Sequence, residues 1–360
     1  MTAPGEGEPR RSVVIANPTK VDDRFRRLVA REAARQGWPE PEWFETRPDD
    51  AGQAATQAAL AHGADLVLAA GGDGTLRAVA EVLRGTGIPM APIPLGTGNL
   101  FAHNLDPAAV GVTPVVITTA QAVRTAFTGA DRSVDIGVIE LQRPDGGREE
   151  HAFIVAAGIG IDAQMLSHTR PESKERMGVL AYVGGIARAL RSGRRIRVLS
   201  RVDDGPIRSR TAHSVLVGNC GVLPGNIPLL PDAQLDDGVF DIVTLRPEGF
   251  LGWVQVWIGV FWENGVLRRS SVGRKLVDSR RRRVRALRYE QGARISVRLE
   301  DPDEIELDGD HFGVVSGFTA EIDPGGLLVR VPDGQLRLPV IAPTTPVRRR
   351  RSRAASRAPR

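Results

Sequence analysis

Apolar residues fall into two regimes along the chain. In the first 130 residues, short continuous apolar runs at 12–17 (SVVIAN), 65–70 and 89–94, with a further short strand at 42–46, alternate with stretches of helical spacing. A continuous apolar run is what a strand buried on both faces requires, and a repeat near 3.6 residues is what a helix covering it requires. Helices are expected at 21–36, through Phe25, Leu28, Val29 and Ala33, at 51–62, at 76–83 and at 115–127. The order β-α-β-α-β-α-β predicts a parallel sheet with helices on both faces. Beyond 130 the segments 134–141, 152–156, 195–202, 213–218, 239–245, 294–299, 304–307, 318–322 and 327–331 are short, rich in Val and Ile, and bounded by turn residues. They predict an antiparallel β domain, interrupted by one helix around 178–190. The fold class is therefore α/β plus β. A parallel α/β domain is expected over 11–132 and an antiparallel β domain over 133–326.

Two glycine loops stand at the ends of the parallel strands. Gly71-Gly72-Asp73-Gly74-Thr75 follows the third strand and runs straight into Leu76 and Arg77 of a helix. Glycines leave no Cβ in the way, so a polyphosphate can lie against main-chain N–H groups and the positive end of the helix. Asp73 would repel those phosphates unless Mg²⁺ intervened. Gly96-Thr97-Gly98-Asn99 follows the fourth strand, with Asn99 placed to cap a helix. Asn17, Pro18, Thr19 and Thr46 fall on the same sheet edge, where ligands of such sheets bind. The pattern Gly158-Ile159-Gly160-Ile161-Asp162-Ala163 matches a dinucleotide fingerprint. It lies inside the β region, and no acidic residue closes a βαβ unit after it. A close strand–helix approach is expected there instead.

Composition changes this picture at one end. The net charge of +5 is concentrated in residues 343–360, which carry seven of the 48 basic residues and no acid. Without them 41 basic residues face 43 acidic ones. This Arg-rich tail is expected to be disordered and suited to anionic headgroups, worth about 1 kcal/mol per basic residue near a surface. No aromatic residue interleaves its arginines, so no specific nucleic-acid binding is expected. Residues 250–262 are the most apolar stretch, with three tryptophans, but are too short to span a bilayer. They read as a buried element or as an interfacial segment beside the basic run 280–283. The single cysteine, Cys220, fits a reducing compartment. Two acidic turns complete the candidate chemistry. Gln234-Leu235-Asp236-Asp237-Gly238-Val239 offers oxygen ligands or a plain Asp-Gly turn, and Asp308-Gly309-Asp310 offers a general base or a hairpin turn.

Taken in order, Asn17-Pro18-Thr19, the two glycine loops with Phe101-Ala102, Asp135-Ile136-Gly137, Gly158 to Ala163, Asn219, Pro231-Asp232-Ala233, Asp236-Asp237-Gly238 and Asp308-Gly309-Asp310 resemble the diacylglycerol kinase catalytic-domain family, which includes bacterial lipid kinases and sphingosine kinases. The resemblance implies ATP- and Mg²⁺-dependent phosphorylation of a lipid hydroxyl, in the cleft between a Rossmann-like nucleotide-binding domain over 11–132, rejoined by a returning segment at about 327–340, and a β-sandwich over 133–326. Diacylglycerol is the expected acceptor, presented at the inner face of the membrane to a cytoplasmic, peripherally associated protein, and homodimerisation stays open. ATP contacts are implied at Asn17, Pro18, Thr19, Thr46, Gly71, Gly72, Asp73, Gly74, Thr75, Leu76, Arg77, Gly96, Thr97, Gly98 and Asn99. Asp73 would organise Mg²⁺, and Asp237 with the carbonyls of Gln234 and Val239 would hold a structural Mg²⁺. The base would be Asp308 or Asp310. Three positions depart from the family pattern. Asp310 stands where it has Glu. Arg77 stands where it usually has Asn, either touching phosphate or solvated. Lys20 stands where small residues are common. NAD kinases and phosphofructokinases share the Gly-Gly-Asp-Gly turn, but an NAD kinase would call for Asn-Glu where this chain has Asn219-Cys220. A non-catalytic protein binding nucleotide or anionic surfaces is the alternative of another class.

Overall fold

A computed structural model describes residues 10–47, 49–105, 118–160, 195–223, 227–228, 230, 233–246 and 287–333. The helix expected near 178–190, the apolar stretch 250–262, the basic run 280–283, residues 334–340 and the tail 343–360 lie outside them.

The parallel half forms as the periodicity requires. Strands β1 (Ser12–Ala16), β2 (Glu42–Glu45), β3 (Leu66–Gly71) and β4 (Met90–Pro94) pair in parallel in the order β2-β1-β3-β4. Helices α1 (Asp23–Arg35) and α5 (Thr119–Thr128) cover one face, where Phe25, Val29, Val123 and Phe127 pack on Val14, Leu66 and Leu68. Helices α2 (Gln53–Ala61) and α3 (Asp73–Leu83) cover the other, where Ala59, Leu76, Val79 and Leu83 pack on Val13, Ile15 and Val67. Local signals set the helix ends. The Asp22 side chain caps α1 by accepting from the Phe25 N–H, and Thr118 and Gln121 form a reciprocal capping box on α5. One expectation shifts: α3 begins at Asp73, inside the glycine turn, rather than after it.

The second half is antiparallel. Strands β5 (Ala130–Gln142), β6 (Arg148–Phe153), β7 (Ala156–Ile159), β8 (Ile196–Val202), β9 (Arg208–Ala212), β10 (Ser214–Gly218), β13 (Phe240–Leu245), β14 (Leu287–Gly292), β15 (Arg294–Leu307) and β16 (Asp310–Val331) enclose a second core around Phe153, Phe240, Phe318 and Ile305. A short ribbon pairs β11 (Val222–Leu223) with β12 (Ile227–Pro228). The architecture is thus a parallel α/β domain followed by an antiparallel β-sandwich, as the sequence pattern predicts. Two details correct that pattern. The segments 294–299 and 304–307 are one strand with register shifts, as are 318–322 and 327–331. The expected strand 152–156 is divided between β6 and β7. Among the described residues Gly160, at φ +70°, lies against the segment at His213, where a Cβ would meet the His213 carbonyl at 2.2 Å; the helix expected beside it falls outside them.

Strand β16 joins the halves. Residues 317–331 pair with β5, its first part pairs with β15, and Val329 pairs in parallel with Met90 of β4. Among the described residues the hydrogen-bonded path therefore runs β14-β13-β10-β7-β15-β16-β4-β3-β1-β2.

Candidate active site

The site forms where the C-terminal ends of β3 and β4 meet the turn between β15 and β16. Gly72 is the N-cap residue of α3 and supplies no side-chain cap, so the N–H groups of the first helical turn have no intrahelical acceptor. The loop after β4 packs directly on this turn: a Cβ on Gly96 would stand 2.7 Å from the Cα of Gly72. Asn99, with φ +49°, folds its amide back onto this loop. Its Oδ1 accepts from the Gly96 N–H at 2.9 Å and its Nδ2 donates to the Gly96 carbonyl at 2.8 Å. Asn99 thus occupies the N-cap position of α4 (Leu100–Asn104) without capping it through its side chain, which corrects the expectation. The carboxylate of Asp73 takes that role, accepting from the N–H groups of Asn99, Leu100 and Phe101. Burial raises the Asp73 carboxyl above the ordinary carboxylate value, although those three hydrogen bonds oppose the shift.

Asn17, Pro18 and Thr19 lie on the same edge, with the Asn17 side chain accepting from the Thr19 N–H and hydroxyl. Thr97 is exposed beside them and Gly98 abuts Asp73. Thr46, Thr75, Leu76 and Arg77 belong to the same region but are buried. Thr75 packs its side chain on Gly71, where a Cβ would meet it at 2.5 Å. The solvated alternative for Arg77 does not hold.

The Asp308-Gly309-Asp310 turn reaches this edge from the other half. Asp308 has φ +53°, and its carboxylate accepts from the N–H groups of Ile154, Val155 and Ala156 at 2.8, 2.8 and 2.9 Å. Burial pushes its carboxyl up to about 6 against those hydrogen bonds. Asp310 is half exposed, and its Oδ2 would lie 2.6 Å from a Cβ on Gly74. One carboxylate is consumed in fixing the turn, and the other is laid on the glycine turn, half exposed. Cys220 sits behind both Asp308 and Asp73, and burial pushes its thiol well above the ordinary value.

The second acidic turn lies apart. Asp135 is buried, and its oxygens accept from Gly238 and Gly325. Asp236 pairs with Arg132 at 2.6 Å. Asp237 accepts from the Val239 N–H, and its carboxyl is raised by partial burial, with the Asp135 and Asp236 carboxylates adding to the effect. A cation would relieve that repulsion. Asp237 and the carbonyls of Gln234 and Val239 are oxygen donors of the chemical kind a hard cation takes. Among the described residues no cluster of three or more His, Cys, Asp or Glu side chains could hold a metal.

Sequence reasoning missed Phe312, whose ring packs on Arg77, and Glu81, which pairs with it. The signal was present: Asp310 and Phe312 are two apart on a strand and so share a face, and Glu81 is four residues from Arg77 on a helix.

Comparison with known proteins agrees with this geometry. Residues 11–139 match the diacylglycerol kinase catalytic domain, and residues 154–256 match the YegS C-terminal NAD kinase beta sandwich-like domain. The Bacillus subtilis diacylglycerol kinase is 28% identical over 320 residues, covering 86% of this chain and 92% of that protein. A YegS-like lipid kinase of Pseudomonas fluorescens is 30% identical, over 68% of this chain and 76% of that protein. A crystal structure of a diacylglycerol kinase from Bacillus anthracis shares the fold at a TM-score of 0.57 and 18% identity, over 91% of this chain and 99% of that one. With both halves matched in order and the loops converging on one edge, the chain belongs to the diacylglycerol kinase catalytic-domain family of lipid kinases.

Proposed function

We propose that the protein transfers the γ-phosphoryl group of ATP, with Mg²⁺, to the hydroxyl of a lipid, most simply diacylglycerol, giving phosphatidic acid. The observation that carries this is the position of Asp310. Its carboxylate belongs to the sandwich half yet lies on Gly74 of the phosphate-type loop, so a base and a phosphate cradle share one cleft. The nucleotide half comprises 11–132 with 327–340, and 133–326 forms the acceptor half.

In this scheme the free N–H groups around Gly72, Asp73, Gly74 and Thr75 receive the phosphates, with Gly71 and Gly96, Thr97 and Gly98 closing the cradle and Asn17, Pro18 and Thr19 bounding it. Thr46, Leu76 and Asn99 shape it from behind. Asp73 holds the two loops in register and would be the acid that organises a Mg²⁺ at the phosphates. Asp310 accepts the proton of the attacking hydroxyl, and Asp308 fixes the turn that carries it. Mg²⁺ supplies charge neutralisation during an in-line transfer. A structural Mg²⁺ is assigned to Asp237 with Gln234 and Val239. Among the described residues no helix is long and apolar enough to cross a membrane. In this reading the lipid is met at an anionic surface by a cytoplasmic, peripherally bound protein, aided by the basic tail at 343–360.

The test is labelled phosphate transfer from ATP and Mg²⁺ to diacylglycerol in anionic mixed micelles, with a sphingoid base, another lipid alcohol and NAD in parallel. Label in phosphatidic acid, reduced about 10²- to 10⁴-fold by Asp310→Asn, is the expected result. Label only in another acceptor would reassign the substrate. ATP binding without transfer to any acceptor would favour the non-catalytic alternative.

A further inference from the structure

Arg77 occupies an unusual place for a cation one turn into a helix at a phosphate loop. Its side chain is 5% exposed, and its Nε has no hydrogen-bond partner. The rest of the guanidinium is held on three sides. Nη1 donates to Glu81 Oε2 at 3.1 Å, Nη2 stands 3.9 Å from Asp310 Oδ2, and Cζ lies 4.6 Å from the centre of the Phe312 ring. The His151 ring packs on Phe312 at 4.8 Å between centres, and its Nδ1 stands 3.9 Å from Glu81 Oε1. Alternation along β16 puts Asp310 and Phe312 on the same face of the strand. One arginine from the nucleotide half therefore meets two side chains from a single face of the acceptor half.

We infer that Arg77 is a positioning residue for Asp310 rather than a phosphate ligand. The planar guanidinium rests on Phe312 as a fixed plate, Glu81 sets its rotation, and its remaining edge faces the Asp310 carboxylate and holds it over Gly74. A buried guanidinium already paired and stacked would have to abandon both partners to reach a nucleotide. At 3.9 Å the contact with Asp310 is Coulombic rather than a hydrogen bond, so it restrains the carboxylate while leaving both of its oxygens available. This inference rests on the assignment of Asp310 as the base.

The experiment compares Arg77→Asn, Arg77→Lys and Phe312→Leu with the wild type in the transfer assay, with ATP affinity measured by calorimetry. Arg77→Asn is expected to lower kcat about 10- to 100-fold, as loss of positioning does, while KM and Kd for ATP stay within about twofold. Arg77→Lys, which keeps the charge but loses the flat stacking surface, recovers part of kcat. Phe312→Leu, which leaves the cation in place, lowers kcat several-fold with ATP affinity unchanged. A tenfold or larger loss of ATP affinity in Arg77→Asn and Arg77→Lys with kcat preserved would make Arg77 a phosphate ligand and overturn the inference, as would unchanged kinetics in all three. The ¹³C resonance of the Asp310 carboxyl, followed without nucleotide, is read independently of activity. If the wild type transferred phosphate to no acceptor, the assignment of the base would fail. A resonance that did not move in Arg77→Asn or Arg77→Lys would remove the contact itself.

Discussion

The two turns that meet at Gly74 are built in opposite ways. The glycine turn at the start of α3 leaves its backbone donors unclaimed and has no side chain at its cap. The Asp308-Gly309-Asp310 turn is overdetermined: Asp308 receives three backbone N–H groups, and its own N–H donates to the Ala156 carbonyl at 2.8 Å. One turn is an empty set of donors and the other a locked mount for a single acceptor. The difference teaches that the precision of such a site resides in the member that presents the carboxylate. The phosphate side needs only open backbone.

Removing the lock should have the largest effect. Asp308→Asn replaces an oxygen that accepts a hydrogen bond with an amide N–H₂ facing a donor. A buried, mismatched polar group of this kind costs about 2–4 kcal/mol, to be seen as a lower urea midpoint and a loss of transfer activity. Next comes the contact between the two glycine loops. In Gly96→Ala the new methyl meets the Gly72 backbone at 2.7 Å, and backbone cannot swing aside. A loss of about 1–3 kcal/mol with weaker ATP binding is expected, measurable by thermal melting and calorimetry. Gly74→Ala sharpens the comparison, because its methyl meets only the end of the Asp310 side chain. It should fold normally, bind ATP, and lose about tenfold in kcat by displacing that carboxylate.

The pH dependence isolates Asp308 more gently. Its carboxyl holds a proton up to about 6 when folded, against 3.8 as the ordinary value. Between those values the folded state binds more protons than the unfolded one. This group's contribution to stability is therefore full below about pH 4 and declines as pH rises to about 6. Urea unfolding from pH 4 to 7 should show that component flattened in Asp308→Asn. The smallest effect concerns Cys220. Its thiol, raised first by burial and further by the carboxylates of Asp308 and Asp73, should resist alkylation at pH 8 until the protein unfolds.

The nucleotide side was legible because each of its cues is local. A buried parallel strand announces itself as an apolar run, and the residues after it must lie on one edge. The chain order of Asn17, Gly71 and Gly96 therefore already placed them together. The acceptor side was less so. Strands β9 and β14 were not foreseen, because Arg208-Ser209-Arg210-Thr211 and Arg288-Tyr289-Glu290-Gln291 show no apolar pattern; β9 is held by pairing with β8, β14 by pairing with β13, and Arg210 meets Glu290 at 2.8 Å. The run Asp323-Pro324-Gly325-Gly326 looks like a hairpin and is a register shift within β16. The division of labour between Asp308 and Asp310 depends on a segment at 154–156 about 150 residues away. No spacing rule reaches that far. Arg77 was left between two alternatives for the same reason: Phe312, which covers it and removes the solvated one, arrives from the other half of the chain.

The long strand β16 has a consequence for biosynthesis. The edge of β4 is closed by Val329, the last-made part of the described fold, so a ribosome releases the whole parallel half before its covering strand exists. Until then β4 offers an unpaired edge of the kind that recruits foreign strands. Premature chain termination in the sandwich half should therefore yield an aggregation-prone product rather than a working nucleotide-binding fragment. The nascent chain would depend on chaperones until β16 is made.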